Sequence, residues 1–194
     1  MTWQKEVDEI ARRKAMTAQM GGPEKVERQH AQGKLTVRER IAQLVDDGSF
    51  AEIGGLSGKA AYDKDGNLVS LSPANTVLGR ARIGGRTVVV QGDDFTVRGG
   101  AADAAIWQKQ VIAEQMAREL RLPIVRLIDG TGGGGSVKSL DVDGRTYVPA
   151  NPGWDHVVAN LATVPVVALA LGPVAGLGAA RAVTSLHRDR KSGV

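Results

Sequence analysis

Pro165-Val166-Val167-Ala168-Leu169-Ala170-Leu171 runs straight into Gly172-Pro173-Val174-Ala175-Gly176-Leu177-Gly178 and then into an alanine-rich stretch. The first seven residues are apolar without polar alternation, which predicts a strand buried on both faces. The glycines turn the chain, and the alanines continue it as a helix. The same order occurs twice upstream. Val88-Val89-Val90 leads through Thr96-Val97-Arg98-Gly99-Gly100-Ala101 to a helix over Ala104–Arg121, with Ile112, Met116 and Leu120 at i, i+4 spacing and Pro123 after its end. Ile124-Val125-Arg126-Leu127-Ile128 leads through the glycine run of Asp129–Ser136 and a polar stretch to a helix over Trp154–Leu161. Strands that alternate with helices predict an α/β layered domain on a largely parallel sheet.

Further upstream, Phe50–Ile53 and Thr76–Ile83 have strand patterns, and Gly84-Gly85 predicts a hairpin turn between Ile83 and Thr87. The chain begins with helical segments. Trp3–Met20 carries Val7, Ile10 and Ala11 at helical spacing among charges, an exposed amphipathic helix that Gly21-Gly22-Pro23 stops. Glu24–Gln32 follows and ends at Gly33. In Leu35-Thr36-Val37-Arg38-Glu39 the Thr36 and Glu39 pair predicts a capping box, with Val37, Ile41 and Leu44 as the apolar face and Asp46-Asp47-Gly48 as the stop.

Composition narrows the chemistry. The chain has no cysteine, which removes disulfides, thiolate metal sites and a cysteine nucleophile together. The apolar run Val164–Leu171 is far shorter than the ~20 residues a membrane helix needs, and no leader pattern is present, so a cytoplasmic protein without membrane attachment is expected. Net charge is +4 with both signs interspersed, and stacking aromatics are scarce. Nucleic acid is therefore not an expected partner, whereas a small polyanion suits the charge.

Backbone N–H groups in a glycine loop that opens a helix point outward and attract an anion. The loops at Gly99-Gly100, Gly132-Gly133 and Gly176 are either such anion sites or tight strand-to-helix turns, and spacing alone leaves both open. No loop ends in the Gly-Lys-Ser or Gly-Lys-Thr of a phosphate loop. The Gly130-x-Gly132-x-x-Gly135 match to a dinucleotide fingerprint falls inside a tetraglycine, where it carries no weight. His30, His156 and His187 lack partners for a catalytic triad, and no ligand spacing for a metal is present.

Lys25-Val26-Glu27-Arg28-Gln29-His30-Ala31-Gln32-Gly33-Lys34-Leu35-Thr36-Val37-Arg38-Glu39-Arg40-Ile41, with Asp46-Asp47-Gly48-Ser49-Phe50, resembles the opening of the carboxyltransferase (beta) subunits of biotin-dependent acyl-CoA carboxylases, of the propionyl-CoA, methylcrotonyl-CoA and acetyl-CoA type. The resemblance continues in order through Gly79–Arg86, Asp94–Gly100 and Gly172–Gly176. It implies a crotonase-like fold of repeated ββα units preceded by N-terminal helices, binding acyl-CoA in a domain over residues 49–185. It further implies that N–H groups at Gly176 and Leu177 hold the thioester oxygen while the α-carbon becomes enolate-like, and that Gly99, Gly100, Ala101, Gly132 and Gly133 contact the ligand. Biotin is then carried by a partner, a biotin carboxylase or biotin carboxyl carrier subunit, the chain assembles as a homo-oligomer, and no metal takes part.

Two features depart from that pattern. The loop after Ile128 lacks the arginine of the resembled family, and Leu177 stands in place of a second glycine. Residues 186–194 form a charged tail unlike a core segment. The resemblance therefore predicts a truncated, frame-shifted or deliberately shortened chain that binds acyl-CoA but by itself completes no transfer. A catalytically incomplete assembly module and a subunit of a biotin-dependent acyl-CoA decarboxylase are the alternatives.

Overall fold

Val88 and Val90 point to one side of a strand and Val89 to the other, and all three are buried. Val88 and Val90 pack with Val37, Ile41, Val77, Ala81, Val125 and Leu127, whereas Val89 packs with Leu78, Ala113, Ala117, Ile124, Val164 and Val166. The sheet thus has a core on each face, and this is why its central strands read as unbroken apolar runs. The computed structural model describes residues 2–100, 107–130, 141, 144 and 153–190.

Among these residues the helices are α1 (Gln4–Ala18), α2 (Pro23–Ala31), α3 (Val37–Leu44), α4 (Trp107–Leu120), α5 (Trp154–Asn160) and α6 (Leu177–Val183). The strands are β1 (Ala51–Ile53), β2 (Gly58–Tyr62), β3 (Leu68–Pro73), β4 (Thr76–Ile83), β5 (Arg86–Asp93), β6 (Ile124–Gly130), β7 (Val166–Val174) and β8 (His187–Arg190). Six strands form one sheet in the order β1-β4-β5-β6-β7-β8. β1, β4 and β5 pair antiparallel, and β5 through β8 pair parallel, so the sheet is mixed, with its parallel half built from the strand-loop-helix repeats. Gly84 and Gly85 turn the β4–β5 hairpin at φ 56° and 77°, and both donate their N–H groups to the Asp46 carboxylate at 2.8 Å. No described helix is long and apolar enough to cross a membrane.

Several expectations change. β2 and β3 form a hairpin that the sequence pattern did not announce: its strands are largely exposed, and the Asp63 side chain organises its turn by accepting from the Asp65 and Asn67 N–H groups. α1 lies against this hairpin, but not through Val7, Ile10 and Ala11, which face solvent. Arg12 donates to the Leu68 carbonyl at 2.8 Å, and the Arg13 guanidinium sits 5.9 Å from the centre of the Tyr62 ring. In α4, of the stripe Ile112, Met116 and Leu120 only Met116 packs against the core; Ile112 and Leu120 are exposed, and Lys109, Ala113, Glu114 and Ala117 are buried. Alanine lets the helix approach the sheet closely, and Glu114 has a partner beneath it. Residues 187–190, assigned to a charged tail, form a parallel strand beside β7, with Val167 opposite His187 and Ala170 opposite Arg190.

α3 carries the capping box: Thr36 Oγ1 accepts from the Glu39 N–H at 3.3 Å, and Glu39 Oε2 accepts from the Thr36 N–H at 2.7 Å. Although it belongs to the N-terminal helical segment 1–48, α3 is part of the sheet core. Val37 and Ile41 are each 2% exposed. A Cβ on Gly92 of β5 would lie 2.4 Å from Val37 Cγ2, so glycine there permits the contact. Hydrogen bonds from His30 first, then from Thr36, hold the Glu39 carboxyl at about 2 against an ordinary 4.5. Because that value is depressed in the folded protein, the support is complete above the ordinary value and is lost as pH falls through about 2. Thr36→Ala is expected to cost about 1 kcal/mol in urea melts at neutral pH. The deficit should shrink near pH 2, and a deficit that stays constant across this window would contradict the cap's dependence on ionised Glu39.

Candidate functional site

The C-terminal ends of β5, β6 and β7, adjacent parallel strands, lie at one edge of the sheet, and there Arg98–Gly100, Asp129–Gly130 and the loop through Gly176 come together. Arg98, Gly99 and Gly100 take positive φ in succession, at 53°, 63° and 66°, a turn that curls the chain toward β6. A Cβ on Gly100 would lie 2.6 Å from the Asp129 carbonyl oxygen and 2.9 Å from Gly130 Cα. Gly130 in turn accepts from the Ala175 N–H at 3.3 Å, and its carbonyl lies within contact of Gly178. Gly100, Gly130 and the Ala175–Gly178 loop are therefore in direct sequence across the site.

Gly176 adopts φ 53° and ψ −125° immediately before α6, a conformation that disfavours any side chain. Among the described residues neither the Gly176 N–H nor the Leu177 N–H has an acceptor, two successive donors on one turn. Leu177, at the first position of α6, provides its N–H without needing to be glycine. Of the residues the sequence nominated, Gly99, Gly100, Gly176 and Leu177 are brought to this edge. Ala101, Gly132 and Gly133 lie outside the described residues.

Below the loops is a set of buried charges that the sequence reading did not identify. The Arg126 side chain is wholly buried and donates to both carboxylate oxygens of Glu114 at 2.8 Å. Its Nη1 also donates to the Arg181 and Thr184 carbonyls at the end of α6. Asn160 Nδ2 donates to the Glu114 carboxylate at 2.9 Å. Arg181 pairs with Asp93 at 3.0 Å, and Arg40 of α3 pairs with Asp129 at 2.6 Å and reaches the Leu171 carbonyl. The second Asp129 oxygen is buried without a partner among the described residues. A Cβ on Gly172 would lie 2.0 Å from it. Next to Asp93, burial raises the Asp94 pKa despite two hydrogen bonds from Thr96.

The signal for this network was present in the sequence: an arginine inside Ile-Val-Arg-Leu-Ile, a strand apolar on both faces, requires a buried partner. Which carboxylate it meets depends on how α4 packs. His30 contacts Glu39 on the surface, and no group of three His, Cys, Asp or Glu residues among the described residues is arranged to hold a metal ion.

Two recesses flank the loops. A cleft of about 560 Å³ is lined by Lys34, Leu35, Arg40, Leu127, Leu171 and Gly172. A smaller one of about 210 Å³ lies between α2 and the turn at Gly99, with Lys25, Arg28, Phe95 and Arg98 on its walls. Backbone donors between cationic recesses can hold an anion, or an oxygen that becomes one during a reaction.

The sequence profile of the carboxyl transferase domain family matches residues 28–186. A probable biotin-dependent acyl-coenzyme A carboxylase beta2 subunit of Mycobacterium tuberculosis is 33% identical over 168 residues, covering 86% of this chain and 30% of its own length. The methylmalonyl-CoA decarboxylase subunit alpha of Veillonella parvula is 30% identical over 177 residues, covering 90% of this chain and 33% of its own. This chain thus spans about a third of the length of the curated relatives it matches. Among solved structures, a transcarboxylase 12S hexamer with methylmalonyl-coenzyme A and methylmalonic acid bound superposes with a TM-score of 0.76 at 27% identity, covering 98% of this chain and 36% of that one. The likeness establishes the crotonase-like fold.

Proposed function

This chain belongs to the carboxyl transferase domain family, and from that premise we propose that its glycine-loop site binds the thioester of a short acyl-CoA and stabilises the enolate formed at the acyl α-carbon. The observation that supports this reading is the pair of N–H donors on Gly176 and Leu177 that have no acceptor among the described residues, on the loop beside Gly130 and Gly100. When the α-proton leaves, negative charge moves to the thioester oxygen. Two N–H groups already aimed there stabilise that charge without reorganising. A donor of this kind contributes about 3 kcal/mol to the transition state, or more than about a hundredfold in rate.

The cations Lys25, Arg28 and Arg98 around the recess at Gly99 suit the phosphates at the other end of such a substrate. Gly99 and Gly100 permit close approach between the two ends, and Ala101, Gly132 and Gly133 are proposed as further contacts. Carboxybiotin, delivered by a partner subunit, supplies the carboxyl group that the α-carbon takes. The chain's own residues bind the acyl-CoA and hold the developing charge. The named activity of the Veillonella relative favours a second direction, decarboxylation of a carboxylated acyl-CoA, which passes through the same enolate and needs the same two donors. We place the chain within an oligomer, as its transcarboxylase neighbour is hexameric.

Leu177→Pro tests the donors one at a time. Proline is tolerated at the first position of a helix and removes the N–H there, with Leu177→Ala as the control for the lost side chain. Calorimetric titration is expected to show propionyl-CoA binding weakened about three- to tenfold, the net worth of one hydrogen bond, with free CoA unaffected. Equal losses for both ligands, or no binding of acyl-CoA by the parent chain, would reject the reading.

A further inference from the structure

Resting on the reading of Gly176 and Leu177 as thioester-oxygen donors, we propose that Asp93 is a positioning residue for that loop and acts through Arg181. Asp93 ends β5 and is 6% exposed. Its Oδ1 accepts from Arg181 Nη1 at 3.0 Å, and its Oδ2 faces the Asp129 N–H at 3.4 Å. One carboxylate therefore reaches both α6 and the end of β6. Asp129 is followed by Gly130, whose carbonyl receives the Ala175 N–H at the start of the donor loop.

α6 has only seven residues and lacks a side-chain cap, so its own hydrogen bonds do little to set its place. Outside forces set it instead. Arg126 grips its C-terminal carbonyls at Arg181 and Thr184, and Asp93 holds the Arg181 side chain, which is itself 4% exposed. Release of the Asp93 contact removes one of these two restraints, so α6 shifts about the remaining Arg126 hold and the Gly176 and Leu177 N–H groups move with it. Asparagine cannot replace this carboxylate. Two donors, a guanidinium and an N–H, face Asp93, and asparagine offers one acceptor oxygen and one NH2.

The test is isotope-edited infrared spectroscopy of propionyl-CoA labelled with carbon-13 at the thioester carbonyl, bound to the 194-residue chain. Hydrogen bonds from the loop lower the carbonyl stretching frequency. In Asp93→Asn the bound band should move back toward its solution position, while affinity for free CoA changes by no more than about twofold, as for sites without shared partners. Arg181→Lys should retain more of the shift than Arg181→Gln. A folded Asp93→Asn chain with an unchanged bound band would overturn the proposal and leave the donor reading intact, whereas an unshifted band in the parent chain would overturn both. Should Asp93→Asn fail to fold, Asp93→Asn with Arg181→Met leaves no buried charge unpaired, and the same band decides. A purely structural role would lower the melting temperature without moving the band.

Discussion

Glu114→Ala is expected to lower the unfolding free energy by about 3–5 kcal/mol in denaturant melts. Arg126 is wholly buried, and both of its forks end on the Glu114 carboxylate. Burial lowers the arginine's pKa and Glu114 opposes that shift, so removing the carboxylate leaves a desolvated cation with only backbone carbonyls for company. Asn160 loses the carboxylate in the same step and keeps only the main-chain carbonyl of residue 114 as acceptor. Arginine does not give up its proton at any accessible pH, so the penalty is taken as unfolding. Glu114→Gln should lose less, because the amide oxygen still accepts from one nitrogen. A loss below about 1 kcal/mol in Glu114→Ala would mean that water replaces the carboxylate and that the pair is less buried than its geometry implies.

Gly100→Ala should abolish most acyl-CoA affinity, by about a hundredfold, for a substitution of one methyl group. Two effects combine. The backbone at φ 66° is strained for any residue with a Cβ, at roughly 1–2 kcal/mol. The added carbon then lies 2.6 Å from the Asp129 carbonyl oxygen and 2.9 Å from Gly130 Cα, neither of which is the flexible end of a side chain. The β6 end must retreat, and through the Gly130 to Ala175 hydrogen bond it takes the donor loop with it. Gly84→Ala separates the two effects, since Gly84 has φ 56° with open space around its missing Cβ. It should lose stability and keep full binding in the same calorimetric titration. If both variants bind alike, the convergence of the loops has no bearing on the ligand.

The glycines were visible in the sequence as loops after apolar strands, and their positions at strand ends were legible from the repeated pattern. Their mutual contact was not, because Gly100 and Gly130 belong to different repeats and meet only when β5 and β6 pair in register, Gly92 opposite Leu127. Likewise, Arg126 in an apolar strand announced a buried charge but not its partner.

Local physics was enough for the strand-loop-helix order, the capping box at Thr36 and Glu39 and the Gly84-Gly85 hairpin, because each depends on neighbours within a few residues. The face that α4 buries was not legible for the complementary reason. Of the apolar stripe Ile112, Met116 and Leu120 only Met116 reaches the core, whereas α4 buries Ala113, Ala117, Lys109 and Glu114. A helix seated on a sheet is chosen by how closely its backbone can approach and by which charges find partners there, and both are properties of the assembled layers. The sequence by itself determined the repeat, the caps and the loops that could donate hydrogen bonds. Only the tertiary structure decided that the ends of β5, β6 and β7 meet at one sheet edge and that a single carboxylate, Asp93, joins α6 to the end of β6, because parallel pairing brings together strand ends that lie about forty residues apart along the chain.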